Sequence, residues 1–276
     1  MKFAQLSGCF RSSFRVALWA CALVAVPAHA DQLKLGGTGN SLGTLRLLGA
    51  AFSEKYPGIQ VTVLNSLGTS GAIKAVPKGA IDIGVASRPL TDEELKNNLV
   101  ATEYARTTTV IAVSTNTRVT AITREQLADM LTWKLSQWPD GRTIRPVLRQ
   151  PGDDNSTQLR RLSPAIERAL ASAESRQGLP FAVTDQEAAD KIESIPGAIG
   201  VTTLALIKSE KRNLRALTLD HVAPTPAEAI SGKYPLVKRF YFITTTAPPE
   251  NIQKFIAFTQ SPAGQNILIQ TGHWLP

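Results

Sequence analysis

The chain has 276 residues, with thirty basic against twenty-two acidic side chains, three histidines, two cysteines and a formal net charge of +8. Both cysteines, Cys9 and Cys21, fall within the first thirty residues, so the rest of the chain can hold no disulfide, cysteine metal site or cysteine nucleophile. The basic excess favours an anionic ligand, but it is not clustered as a nucleic-acid surface requires.

Lys2, Arg11 and Arg15 open the chain with positive charge and no acid. Residues 16–26 are an apolar run, and Ala28-His29-Ala30 gives a small-x-small pattern before Asp31. The run is shorter than the roughly 20 residues that span a bilayer. Residues 1–30 therefore read as a secretion signal cleaved after Ala30. Its removal leaves 246 residues, with 27 basic against 22 acidic side chains and a net charge of +5, long enough for two cores of ordinary domain size.

Beyond the signal, short apolar runs alternate with amphipathic stretches. Residues 33–35 read as a strand, and Leu42, Leu45, Leu48 and Phe52 then recur at helical spacing. Residues 59–64 form a second strand. A short helix begins near Gly71 and ends at Pro77, and residues 81–85 form a third strand. Thr91 with Glu94 makes a capping box that opens a helix. Residues 107–114 are strongly β-prone, and Thr123 with Gln126 caps a helix through Leu131. A strand at 144–148 precedes a helix that follows Ser156. Thr184 with Glu187 is a third capping box, residues 199–202 suit a buried strand, and 240–245 is a last β-rich run. Helices at 249–258 and 262–270 close the chain. Residues 208–215, the densest basic stretch, read as a solvated helix end.

This alternation predicts an α/β fold. No linker is visible, so a two-lobed molecule must pass between its lobes more than once. The β-rich runs at 107–114 and 240–245 are the expected crossings. One lobe then takes 31–112 with 239–276, and the other takes 113–238.

Four segments place glycine and hydroxyl residues between a strand and a helix or turn: 36–41, 66–71, 82–88 and 149–157. Each can present free backbone N–H groups at a positively polarised helix start, a ready seat for an anion. Taken singly, each is an ordinary helix cap. Together, and with Arg149 in the fourth, they point to an oxyanion site.

Several stretches resemble the phosphate-binding members of the periplasmic solute-binding proteins that serve ABC transporters. These are Thr123-Arg124-Glu125-Gln126-Leu127-Ala128 with Trp133, Lys134 and Trp138; Pro196-Gly197-Ala198-Ile199-Gly200; Tyr234-Pro235-Leu236 with Arg239, Tyr241 and Phe242; and Ser261-Pro262-Ala263-Gly264-Gln265 with Gly272, His273, Leu275 and Pro276. The resemblance implies the two-lobed type II periplasmic-binding-protein fold, a periplasmic location, and a small oxyanion, phosphate first, held between the lobes. It also implies a membrane permease as partner, with no cofactor, no metal and no nucleic acid, and a monomeric state.

Carried onto this chain, the ligand set is Thr38, Gly39 and Ser41 from the first loop and Ser70 and Gly71 from the second. The third loop gives Ser87, with Arg88 beside it. The fourth gives Arg149, Asn155, Ser156 and Thr157. Two departures stand out. Ser87 occupies the position where phosphate binders typically carry a proton-accepting aspartate. The family pattern has glycine and serine after the fourth-loop arginine, and here Asp153 and Asp154 intervene. These aspartates either pair with Arg149 or Arg88, accept a ligand proton, or cap the following helix from outside the pocket. Arg88 reads either as a second cleft cation or as a surface arginine before Pro89. Trp133 and Trp138 read as lobe packing. His221 and His273, the histidines beyond the signal, show no metal-ligand spacing.

Molybdate, tungstate, sulfate or a small organic phosphate suits the same donors, and a ligand-sensing role is a further alternative to transport. Hydrolysis is disfavoured, because the chain beyond the signal lacks cysteine and is sparse in histidine.

Overall fold

The computed structural model describes residues 31–276 together with Met1, so residues 2–30, the bulk of the expected secretion signal, lie outside the described residues. The first elements are β1 (Asp31–Gly37), α1 (Gly39–Lys55), β2 (Ile59–Val63), α2 (Gly68–Ala75), β3 (Ile83–Ala86) and α3 (Asp92–Leu95). The middle of the chain gives β4 (Leu99–Ser114), β5 (Ala121–Ile122), α4 (Arg124–Leu131), β6 (Arg145–Pro146), β7 (Leu148–Arg149), α5 (Asp154–Arg160) and α6 (Pro164–Glu174). It continues through β8 (Phe181–Ala182), α7 (Asp185–Ser194), β9 (Ala198–Thr203), α8 (Leu204–Ser209), β10 (Leu214–Ala216), β11 (Thr218–Leu219) and α9 (Pro226–Ile230). The chain ends with β12 (Val237–Thr245), α10 (Glu250–Gln260), α11 (Pro262–Gln270) and β13 (His273–Trp274).

The main sheet runs in the order β2-β1-β3-β12-β4-β9-β6, with β10 and β13 also paired to β4. β1 is parallel to both β2 and β3, so α1 and α2 are the crossovers that such pairing demands. The helical spacing read in α1 has its expected consequence: Leu42, Leu45, Leu48 and Phe52 are fully buried. The Phe52 ring meets Phe255 and Phe258 edge-on, at 5.2 and 5.6 Å.

β4 joins the two halves. Its residues from Leu99 to Thr108 pair with β12, and those from Thr109 to Val113 pair with β9. The apolar cores divide at that change of partner. The buried residues of one cluster pair run up to Ala105 and from Phe240 onward, and those of the other run from Val110 to Leu236. We assign lobe 1 to 31–108 with 237–276, and lobe 2 to 109–236. At the crossing, Thr109 donates its N–H to the Leu236 carbonyl at 3.0 Å, and the buried Tyr234 hydroxyl donates to the Thr109 carbonyl at 3.0 Å.

Several local expectations need correction. The strand expected at 144–148 splits into β6, parallel to β9, and β7, parallel to β8; Val147 between them keeps only a backbone bond to Ile199. The helix expected after Ser156 begins two residues earlier, at Asp154, because Asp153 caps it. The α2 helix starts at Gly68 and gives way to a 3₁₀ turn, Val76–Lys78, that contains Pro77. Two capping boxes are complete, at Thr91 with Glu94 and Thr123 with Gln126. The third is half formed: Thr184 caps Glu187, but the Glu187 carboxylate accepts from the Val183 N–H instead. In the 208–215 stretch, Arg212 pairs with Glu210 at 2.8 Å and with Asp190 and Glu193, so it is tied to α7 rather than free in solvent.

Candidate functional site

A cleft of about 770 Å³ opens between the lobes. From lobe 1 it takes Thr38 at the end of β1, the first turn of α2, Ser87 and Arg88 after β3, and Lys238, Arg239 and Tyr241 of β12. From lobe 2 it takes the segment from Arg149 into α5, and Thr184 with Asp185 at the start of α7. Of the residues expected to hold an anion, Thr38, Ser70, Gly71, Ser87, Arg88, Arg149 and Thr157 line this cleft. Gly39, Ser41, Asn155 and Ser156 do not, and each has a structural reason.

Ser41 is fully buried and donates its hydroxyl to the Thr38 carbonyl at 3.0 Å. Gly39 faces lobe 2 across a tight contact: a Cβ there would stand 2.4 Å from Gln186 Oε1 and 2.8 Å from Asp185 Cβ. Its lack of a side chain lets α7 approach the start of α1. Asn155 is buried, donating Nδ2 to Asp185 at 3.2 Å and accepting from Lys238 Nζ at 2.6 Å. Ser156 is buried with Asn155 against a small apolar cavity inside lobe 2.

Arg149 is the centre of the arrangement. It is 7% exposed. Its Nη2 meets Asp153 at 2.7 Å and Asp185 at 3.3 Å. Its Nε and Nη1 are buried and have no protein partner. Burial alone pulls the guanidinium down, yet Asp185 and Asp153 more than offset that, so it is held above its ordinary pKa. Two unmet N–H nitrogens on a buried cation are costly unless something accepts from them.

The helix starts differ in how they are satisfied. At α5 the Asp153 side chain accepts the Asn155 N–H at 3.0 Å. At α1 no residue of the helix caps it. Instead Asp185, from lobe 2, accepts the Asn40 N–H at 3.0 Å and lies 3.4 Å from the Thr38 hydroxyl. The α7 start is capped by Thr184. Among the described residues, only α2 begins at the cleft with no side chain, near or distant, accepting from its start, and its Gly68, Thr69, Ser70 and Gly71 all line the cavity. Thr69 and Ser87 are tied together there, through the Thr69 hydroxyl and the Ser87 N–H and hydroxyl, both at 3.0 Å.

Charge in the cleft is heavily paired. Arg88 forks onto Glu94 at 2.7 and 2.8 Å, and the guanidinium holds that carboxylate down to a pKa of about 2. Lys238, 1% exposed, binds Asp154 at 2.6 Å. Asp185 accepts from Asn40 and Asn155 beside Arg149; burial pushes its carboxyl above the usual range against the pull of Arg149 and Lys238. Of the roles left open for the aspartate pair, Asp153 takes two, capping α5 and gripping Arg149; Asp154 instead grips Lys238, and both line the cleft rather than lie outside it.

Sequence reading missed Asp185 and Lys238. Thr184-Asp185 was visible only as a helix start, and a lysine in an alternating strand reads as solvent-facing. Trp138 is buried and donates Nε1 to the Gly197 carbonyl at 3.0 Å, while Trp133 is exposed beneath Arg176; neither lines the cleft. Among the described residues, no group of three or more His, Cys, Asp and Glu is placed to hold a metal.

The chain matches the model of the PBP superfamily domain over residues 24–263. It is 25% identical over 216 residues to the phosphate-binding protein PstS of Borreliella burgdorferi, covering 75% of this chain and 76% of that one. It is also 25% identical over 236 residues to protein SphX of Synechococcus elongatus, covering 78% and 68%. A Clostridium perfringens substrate-binding protein assigned to a phosphate ABC transporter, solved with phosphate bound, superposes with a TM-score of 0.72 at 22% identity, over 89% of this chain and 100% of that one. The expected two-lobed periplasmic-binding fold is therefore the fold of this chain.

Proposed function

Because the chain belongs to the PBP superfamily, we infer that it is an exported, non-catalytic substrate-binding protein that captures a small oxyanion, phosphate first, and presents it to the permease of an ABC transporter. The observation that carries this reading is Arg149: a buried cation at the floor of an interlobe cleft, with two N–H nitrogens left without an acceptor. The uncapped start of α2 and the Ser87 hydroxyl supply further donors on the opposite lobe.

An oxyanion leaving water must regain its hydrogen bonds from fixed donors, and charge-assisted bonds are about twice as strong as neutral ones. An anion touching both α2 and Arg149 bridges the lobes, so it favours whichever interlobe arrangement brings both into reach. Micromolar capture needs about 8 kcal/mol net, within reach of several such bonds. The seat offered here is narrower than the sequence implied, because Asp185 already satisfies the α1 start.

The test is a thermal-shift panel of phosphate, sulfate, molybdate and tungstate on anion-stripped protein. A ligand of the native state raises the melting temperature by mass action. Phosphate is expected to give a saturable rise. A flat response to all four anions would overturn the reading.

A further inference from the structure

Resting on the oxyanion reading, we propose that Asp185 takes up a proton from solvent when the anion binds, and that Thr38 then turns its hydroxyl hydrogen from Asp185 to the anion. The first ground is the set of donors gathered on this one carboxylate. Asp185 is buried at the start of α7 and lines the cleft. From lobe 1, the Asn40 N–H donates to Oδ2 at 3.0 Å, and the Thr38 hydroxyl donates to the same oxygen at 3.4 Å. From lobe 2, Asn155 Nδ2 donates to Oδ1 at 3.2 Å, and Arg149 Nη2 stands 3.3 Å from it. Four donors on two oxygens favour the ionised carboxylate before an anion arrives.

The second ground is the balance of charge. Arg149 and Lys238 both pull on Asp185, but Arg149 is already gripped by Asp153 and Lys238 by Asp154. Three carboxylates therefore face two cations. On the same helix, Gln186 turns to the Gly39 carbonyl, and Glu187, which also acts on Arg149, pairs with Lys191. Arg88 is held by Glu94, while Arg161 and Arg239 are exposed, where water and salt screen them. An oxyanion on Arg149 Nε and Nη1 adds negative charge to the guanidinium that Asp185 shares. Two negative charges on one desolvated cation favour neutralisation of one of them. The anion is met by the unmet Arg149 donors and the α2 start, whereas burial already pushes the Asp185 carboxyl above the usual range. Asp185 is thus the group that takes the proton.

The third ground is Thr38, which also lines the cleft. A hydroxyl has one hydrogen to give and two lone pairs to accept with, and here that hydrogen points to Asp185. Once Oδ2 carries a proton, it donates to the Thr38 oxygen, and the Thr38 hydrogen is released to the anion. The neutral carboxyl still accepts the Asn40 N–H, so the tie between the lobes persists. One proton from bulk water converts the carboxylate to the acid, and no other group changes its charge.

Calorimetry of phosphate and of sulfate in paired buffers of different ionisation heat, at about pH 7.5, counts the protons exchanged on binding. It is run on the wild-type protein and on Asp185→Asn, with thermal unfolding to show that the variant folds. Proton exchange by the ligand itself is common to both proteins and cancels in the difference. Infrared difference spectra of the wild type with and without phosphate give a second reading that needs no variant. The wild type is expected to take up about half a proton or more beyond Asp185→Asn, and a protonated-carboxyl band is expected to appear on phosphate binding. Equal proton counts in the two proteins, or no such band in the wild type, overturns the proposal while leaving the oxyanion reading intact. Failure of both anions to bind the wild type overturns both.

Discussion

The Asp185 carboxylate of lobe 2 accepts the Asn40 backbone N–H of lobe 1 at 3.0 Å. A protein carboxylate thus sits on the positive end of α1 and, through its other oxygen, faces Asn155 and Arg149. It occupies the kind of seat a bound oxyanion would take, and it ties the lobes together at the same time.

Replacing Asp185 with alanine removes this internal anion and leaves Arg149 one counter-charge short. Breaking a buried pair from one side costs about 3–5 kcal/mol, so the variant is expected to melt well below the parent. Phosphate or sulfate should then restore stability in Asp185→Ala by more than they add to the parent, because the vacated seat accepts them. Melting curves with and without anion check this; equal anion-induced shifts in the two proteins would show that the seat is not an anion site. Gly39→Ala should weaken the same contact from the other lobe, since its Cβ would meet Gln186 Oε1 at 2.4 Å.

Lys238 is the second buried cation, bound to Asp154 and Asn155 at 2.6 Å each. Lys238→Met is expected to destabilise by about 3–5 kcal/mol. Adding Asp154→Asn should recover part of that loss, with a coupling of about 1–3 kcal/mol in a double-mutant cycle by chemical denaturation. Strictly additive effects would mean that the two groups do not act as a pair.

These two residues mark the limit of what the sequence disclosed. The elements that rest on local chemistry were legible: the Thr91–Glu94 and Thr123–Gln126 boxes are both complete, and α11 runs over Pro262–Gln270 as its proline start implies. The Leu42–Phe52 face of α1 was equally plain. Arg149 was legible as the cation of its loop. Asp185 was not, because its partners Asn40 and Arg149 are 145 and 36 positions away and belong to different elements. Lys238 was hidden by its place in β12, where Arg239 beside it is exposed and only the fold decides which of the two turns inward. For the same reason the glycine- and hydroxyl-rich segments looked equivalent in sequence, although the α1 start is already satisfied by Asp185 from the other lobe.

His273 predicts an acid limb to the stability profile. It is buried on β13, with Nδ1 3.1 Å from the Thr271 hydroxyl and Nε2 without a partner. Desolvation lowers its pKa to about 4. The unfolded chain takes up this proton near pH 6.5, so the contribution is complete above that pH, declines below it, and is gone once pH falls through 4. The loss over that window amounts to about 3 kcal/mol. His273→Phe, which can pack on the neighbouring Phe240, should flatten the window in denaturant titrations at pH 7, 5.5 and 4. An undiminished decline in the variant would assign the limb to other groups.

The most direct test of the account is calorimetric titration of phosphate into the wild-type protein and into Arg149→Lys. Lysine keeps a positive charge between Asp153 and Asp185 but lacks the planar, forked donors that leave Nε and Nη1 free for a ligand. Saturable phosphate binding to the wild type, weakened about a hundredfold in a variant that still folds, is the predicted result. Equal affinity in the two proteins, or no binding heat in the wild type, would contradict it.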